Sequence, residues 1–108
     1  HSIDIVVTAG GTGFSPRDVT PEAVAEVLDR LTPGLDEAMR RDSGEKTPHA
    51  MLARGVSGIR GATLVVSLPG SERAAAENLQ VIIPALSHGL AKLRGDPSDC
   101  GPRREATT

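Results

Sequence analysis

The chain of 108 residues holds 12 Lys and Arg against 14 Asp and Glu, a formal charge of −2 with a pI near 5.9. That length gives room for one small domain, and the charge argues against a nucleic-acid binder, which usually shows a basic face. Cys100 is the only cysteine and Phe14 the only aromatic residue, so an internal disulfide and a cysteine-cluster zinc site are excluded and the core must be aliphatic. No apolar run approaches the ~20 residues that span a bilayer, and no signal-peptide pattern is present; a cytoplasmic protein with no membrane partner is expected.

The first element is the β-branched run Ile3–Thr8, which reads as a central strand in a covered parallel sheet. Gly10, Gly11 and Gly13 follow at once. Glycine permits positive φ and close approach of the backbone to a ligand, and consecutive turn N–H groups can converge on an anion. A bare glycine turn without a ligand is the alternative reading. Thr20 and Pro21 then supply a helix cap and a first helical residue. Val24, Val27, Leu28 and Leu31 fall on one helical face.

Thr32-Pro33 repeats the start signal for a second helix over about Gly34 to Arg41, with Leu35, Ala38 and Met39 inward. Asp42 to Lys46 is polar and reads as a loop. Thr47-Pro48 opens a short third helix from His49 to Arg54, with Gly55 placed to end it. Met39 and Met51 are expected in the core. Gly55–Arg60 and Thr63–Leu68 form a predicted β-hairpin about Gly61-Ala62.

Pro69-Gly70-Ser71 is a second loop between a strand and a helix, with Ser71 as the expected cap. Ala75, Leu79, Ile82, Leu86, Leu90 and Leu93 keep a helical period. Pro84 is expected to kink or split that helix near Ile83. From Gly95 the chain has no periodicity and reads as a disordered tail, leaving residues 1–94 as the domain.

Two strand–loop–helix units predict an α/β sheet with helices on its faces. Ligands of such sheets sit beyond the carboxyl ends of the strands. Gly10–Asp18 and Pro69–Ser71 both lie there, and they meet in one crevice if their strands are neighbours. Each then offers N–H groups and a helix start, which attract phosphate. Arg17 reads as a phosphate ligand or as a solvated charge. Asp18 reads as a helix-start residue or as a ligand of a divalent cation. His1, His49 and His88 show no metal-ligand spacing and read as structural or exposed; Cys100 carries no nucleophile signature.

The run Thr8-Ala-Gly-Gly-Thr-Gly-Phe-Ser-Pro-Arg-Asp-Val-Thr-Pro-Glu22 closely resembles the signature of the MoaB/MogA-like molybdopterin-binding proteins of molybdenum cofactor biosynthesis. Thr47–Gly61 and Leu64-Val-Val-Ser-Leu-Pro-Gly-Ser71 fall in that family's order and spacing. The resemblance covers about Ile3 to Leu90. It implies a three-layer α/β/α fold with a mainly parallel sheet plus a β-hairpin, and a homotrimer. It implies binding of molybdopterin and, in MogA-like members, of ATP with Mg²⁺, with transfer of AMP to the terminal phosphate of molybdopterin and release of pyrophosphate. A non-catalytic molybdopterin-binding or scaffold protein of the MoaB type is the alternative, and contact with a molybdenum insertase is a further implied partnership.

On this resemblance, Thr8, Gly10, Gly11, Thr12, Gly13, Arg17, Pro69, Gly70 and Ser71 are the candidate substrate- and phosphate-binding residues. Asp18 is the candidate catalytic residue, placed to hold Mg²⁺ directly or through water. Ala9 departs from the Thr common in the family. The family domain also carries an upstream half with an acidic site residue. Nothing precedes His1 here, so the chain is expected to be the C-terminal portion of that domain.

Overall fold

Alternating and β-branched segments assemble into one mixed sheet, flanked by three helices among the described residues. The computed structural model describes residues 3–95; the tail, from residue 96, and Cys100 with it, lies outside the described residues, as does His1. In chain order the elements are β1 (Ile5–Ala9), α1 (Thr20–Val27), β2 (Arg30–Leu31), α2 (Pro33–Gly44), a 3-10 turn (Pro48–Leu52), β3 (Gly58–Arg60), β4 (Thr63–Leu68) and α3 (Glu72–Leu93).

The sheet order is β1-β4-β3-β2. β1 and β4 run parallel, in register from Ile5↔Leu64 to Ala9↔Leu68. The expected hairpin forms, with Arg60 opposite Thr63 across Gly61-Ala62. β4 alternates between two covered faces. Leu64, Val66 and Leu68 join Met39 of α2 and Ile82 of α3 in the core. Val65, with Val6 and Thr8 of β1, faces Ala23, Val24 and Val27 of α1 instead. The result is three layers: α1, the sheet, then α2 and α3.

Several local expectations are corrected. β1 is an edge strand among the described residues, with Val6 and Val7 exposed; a β-branched run signals burial but not rank in a sheet. α1 stops at Val27 because Leu28 turns extended, and Leu31 enters β2, paired with Gly58. Thr20 is the first helical residue rather than a side-chain cap, and Thr32 makes no cap bond either. Only Thr47 and Ser71 cap as expected, accepting from His49 N–H at 3.2 Å and Ala74 N–H at 3.4 Å.

The polar stretch from Asp42 starts as helix, not loop, because α2 runs on to Gly44. Its end is held to α3: Lys46 bonds Asp42 at 2.9 Å and Glu77 at 3.4 Å, and Asn78 Nδ2 donates to Ser43 Oγ at 2.7 Å. The third helix is a five-residue 3-10 turn that buries only Ala50, so Met51 is exposed while Met39 is core. The chain is already extended at Ala53, and Gly55 has no left-handed conformation with which to end the helix. α3 passes through Pro84 without a break. Pro84 is exposed, and the core-facing residues on either side of it hold the helix to the sheet.

Ile82 is 2% exposed in the core and its neighbour Ile83 is 52% exposed. Ile82→Ala should cost roughly 2–5 kcal/mol of stability, and Ile83→Ala should stay within about 0.5 kcal/mol. Urea unfolding of both variants checks this, and equal losses would refute the packing of α3.

Candidate functional site

Parallel pairing puts the carboxyl ends of β1 and β4 side by side, so the two glycine loops touch. Gly10 N–H donates to Leu68 O at 3.0 Å, which continues the ladder one residue past β1. This corrects the expectation that Gly10 N–H serves phosphate, because it already has a partner. The N–H groups of Gly11, Thr12 and Gly13 have none among the described residues.

The glycines answer to space as well as to conformation. Gly10 and Gly11 have φ of +94° and +71°. A Cβ on Gly11 would collide with the Thr20 side chain. A Cβ on Gly70 would sit 3.2 Å from Gly10 Cα. Thr20 therefore packs on the loop, which explains why it does not cap α1.

Asp18 folds the far end of the first loop. Its Oδ2 accepts from Ser15 N–H at 3.0 Å and its own N–H donates to Ser15 O at 2.8 Å. Arg17 is exposed, and its backbone N–H donates to Ser15 Oγ at 3.3 Å. Thr8 lies on the α1 face, with a buried Oγ1 that has no partner among the described residues. Thr12 is buried on the other side of the loop.

Arg54 holds this loop in shape, and sequence reasoning missed it. Its Nε donates to Gly13 O at 2.8 Å, its Nη2 to Asp18 O at 2.6 Å and its Nη1 to Glu22 Oε2 at 2.6 Å. Its backbone N–H donates to Thr12 O at 2.8 Å. The Arg54 hydrogen bond holds the Glu22 carboxyl below its usual range, and Glu22 in turn raises the guanidinium. At the end of a short turn an arginine reads as an ordinary helix-end charge; its partners lie 32 to 41 residues away.

Thr12 and Pro69 also line a cavity of about 200 Å³ between the loops, α2 and α3. Asp36, Met39 and Arg40 of α2, and Ala74 and Asn78 of α3, complete much of its wall. Asp36 is 6% exposed. Its Oδ2 accepts from Ser57 N–H at 2.9 Å and its Oδ1 from Ser57 Oγ–H at 2.8 Å. Burial pushes this carboxyl above the ordinary 3.8, against the pull of the Ser57 bonds. Of the sequence candidates, Thr12 and Pro69 reach this cavity; Gly10 and Gly70 make the loop contact, while Gly11 packs against Thr20 and Gly13 against Asp18 within the first loop.

Residues 1–88 match the family described as "Probable molybdopterin binding domain". The chain belongs to this molybdopterin-binding family. The gephyrin of Dictyostelium discoideum is 48% identical over 98 residues, covering 91% of this chain and 14% of that protein. The molybdopterin adenylyltransferase of Helicobacter pylori strain 26695 is 38% identical over 96 residues, covering 89% of this chain and 54% of that enzyme. Among solved structures, the molybdopterin biosynthesis enzyme MoaB of Thermus thermophilus matches with a TM-score of 0.80 and 50% identity. That match covers 90% of this chain and 61% of the other. The Mog protein of Mycobacterium ulcerans gives 0.82 and 44%, over 84% and 60%. The chain thus spans less than two thirds of each of these relatives.

Two outcomes test the site. Gly11→Ala places a Cβ at positive φ, which costs roughly 1–2 kcal/mol, and drives it into Thr20. Stability should fall by at least that much in urea unfolding, and inorganic pyrophosphate should bind more weakly by calorimetry; an unchanged variant would show that the loop is not held as described.

The second concerns pH. The folded Asp36 pKa lies above its unfolded value, so the folded chain holds that proton more tightly. The cost of the buried charge is full above the folded pKa and is relieved as pH falls through it towards 3.8. The Glu22 contribution has the opposite sign: it is present above 4.5 and lost as pH falls through the lowered folded pKa. Asp36→Asn should remove the acid-side gain and leave the Glu22 loss below about 4.5. Stability curves of parent and variant that stay parallel between neutral pH and 3.8 would refute the buried charge.

Proposed function

We propose that the complete protein acts in molybdenum cofactor biosynthesis, binding molybdopterin and adenylylating it with Mg-ATP. The carrying observation is the contact of two glycine loops at the ends of a parallel strand pair, with the N–H groups of Gly11, Thr12 and Gly13 unpartnered among the described residues. Relatives named molybdopterin adenylyltransferase support the same reading.

In this reading the loop N–H groups and the α3 start at Ser71 bind phosphate. Arg54 positions the loop through the Gly13 and Asp18 carbonyls. A terminal phosphate oxygen of molybdopterin attacks the α-phosphorus of ATP. The new P–O bond forms as the α–β bridge breaks, and pyrophosphate leaves with the electron pair. Both reactants are anions, so positioning and charge neutralisation carry the rate.

Among the described residues no three His, Cys, Asp or Glu side chains form a metal cluster. Asp18 also has one oxygen engaged with Ser15. This donor set fits a Mg²⁺ ion carried in by nucleotide phosphates and held by one carboxylate and water; the ion would supply charge neutralisation at the phosphates. No described helix is long and apolar enough to cross a membrane. A cytoplasmic homotrimer that passes its product to a molybdenum insertase belongs to the same proposal, on family resemblance.

Asp18→Asn separates catalysis from binding. The amide oxygen can still accept from Ser15 N–H, so the loop should keep its shape while the charge is lost. Molybdopterin affinity should hold, and single-turnover AMP transfer should fall by about 10²-fold or more. Transfer at the parental rate would reduce Asp18 to a turn-forming residue. A parent protein without transfer would favour the binding-protein reading.

A further inference from the structure

A short backbone strap, from Arg54 to Ser57, is tied to both glycine loops. Arg54 N–H donates to Thr12 O at 2.8 Å, and its guanidinium holds Gly13 O and Asp18 O, so this end is fixed to the first loop. At the other end, Val56 O accepts from Ser67 Oγ at 2.6 Å and Ser57 Oγ accepts from Ser67 N–H at 3.2 Å. Ser67 is in β4, next to the last residue before the Pro69 loop. α2 holds the strap as well. Arg40 Nη1 donates to Gly55 O at 3.4 Å, and Asp36 accepts both Ser57 donors.

Gly55 stands in the middle of the strap, between the two sides. A Cβ there would lie 3.6 Å from Ser67 Cβ, 3.7 Å from Ser67 O and 3.8 Å from Thr12 Cγ2. These are ordinary contact distances, so an alanine fits with nothing to spare towards either loop. Gly55 has no positive φ, so its backbone does not call for glycine. The position uses its small size. Thr12, Gly55 and Ser67 line the same cavity. Thr12 lies between the unpartnered N–H groups of Gly11 and Gly13, and Ser67 leads into Pro69, Gly70 and the start of α3.

We propose that Gly55 is a positioning residue, the spacer that sets the separation of the two loops and so of the phosphate groups held on them. The assignment rests on the reading of the loops as phosphate sites. It adds a length requirement: the ligand phosphates sit side by side across the Gly10–Gly70 contact. Transfer between two bound phosphates depends on that separation, since a misplacement of about 1 Å can cost about 10²-fold in rate. Binding of one phosphate on one loop does not depend on it.

The test uses the full-length protein, with inorganic phosphate and inorganic pyrophosphate as calorimetric probes. Linked phosphates that reach both loops gain over a single one, so the parent should bind pyrophosphate about 10-fold or more tighter than phosphate. Gly55→Ala should keep that ratio and the parental urea midpoint. Gly55→Val adds two methyl groups to a Cβ already in contact on two sides. Its ratio should fall to about threefold or less while phosphate affinity stays within about twofold. Its single-turnover AMP transfer should fall about 10²-fold. If the valine variant fails to fold, Gly55→Cys in a cysteine-free background decides the matter. Methyl methanethiosulfonate caps the folded thiol with a methylthio wedge, and dithiothreitol removes it. The ratio should fall on capping and return on reduction.

Equal binding of the two probes by the parent, or an unchanged ratio in the wedged protein, would overturn the proposal. So would a wedge that weakens phosphate and pyrophosphate together, which marks a damaged loop and not a changed spacing. A ratio that falls with the wedge, in a protein whose parent shows no AMP transfer, sinks only the adenylylation. AMP transfer by the parent that the wedge leaves undiminished sinks only the spacer.

Discussion

The parallel pairing of β1 with β4 is the constraint on which the rest of the site depends. Two parallel neighbours end at the same edge of a sheet, so whatever follows each of them is brought together. An antiparallel pair would have sent the two glycine loops to opposite ends. Register matters as much as direction. Ala9 lies opposite Leu68, and Gly10 N–H still finds Leu68 O. A slip of one residue would turn Val65 and Val66 to the wrong faces. It would also pull Gly10 away from Gly70, where a Cβ would crowd Gly10 Cα.

Loops of unpaired N–H groups do not keep one shape by themselves. The structure supplies that shape from a distance, through Arg54. A planar guanidinium can hold two carbonyls and a carboxylate at once in a fixed fork, which a lysine ammonium cannot reproduce. The exposed Arg54–Glu22 pair contributes little as an ion pair in water. Its value is geometric: it fixes the guanidinium while the other two nitrogens fix Gly13 and Asp18. A loop ordered before its ligand arrives loses less freedom on binding.

How much of this was legible in the sequence depends on the range of each interaction. Short-range features were readable. The Gly61-Ala62 turn, the Ser71 cap and the period of α3 are set within a few residues, and each formed where expected. The loop contact was readable conditionally, as something that follows if β1 and β4 are neighbours. Features set by partners far along the chain were not. Leu28 and Leu31 fit a helical face, yet Leu31 is claimed by Gly58 of β3. Asp42 to Gly44 looks like loop, yet α3 holds it as helix through Glu77 and Asn78. Thr20 looks like a cap, yet its side chain is used against Gly11. Arg54 and Asp36 carry no local signature at all; their meaning lies in Gly13, Asp18 and Ser57.

Asp36 shows why a buried charge can persist in a core this small. An apolar side chain of similar size would avoid the desolvation cost. It would also strand the Ser57 N–H and hydroxyl, which are buried and need acceptors. Ser57 Oγ in turn accepts from Ser67 N–H at 3.2 Å, and Ser67 Oγ donates to Val56 O at 2.6 Å. The carboxylate therefore anchors a polar chain that ties α2 to the segment entering β3 and to β4, two residues before Pro69. An asparagine could keep its oxygen on Ser57 N–H, but its amide would then meet the Ser57 hydroxyl as a second donor and leave that proton without an acceptor. A carboxylate takes both donors at once, one on each oxygen, and that accounts for a charge at this position despite its desolvation cost.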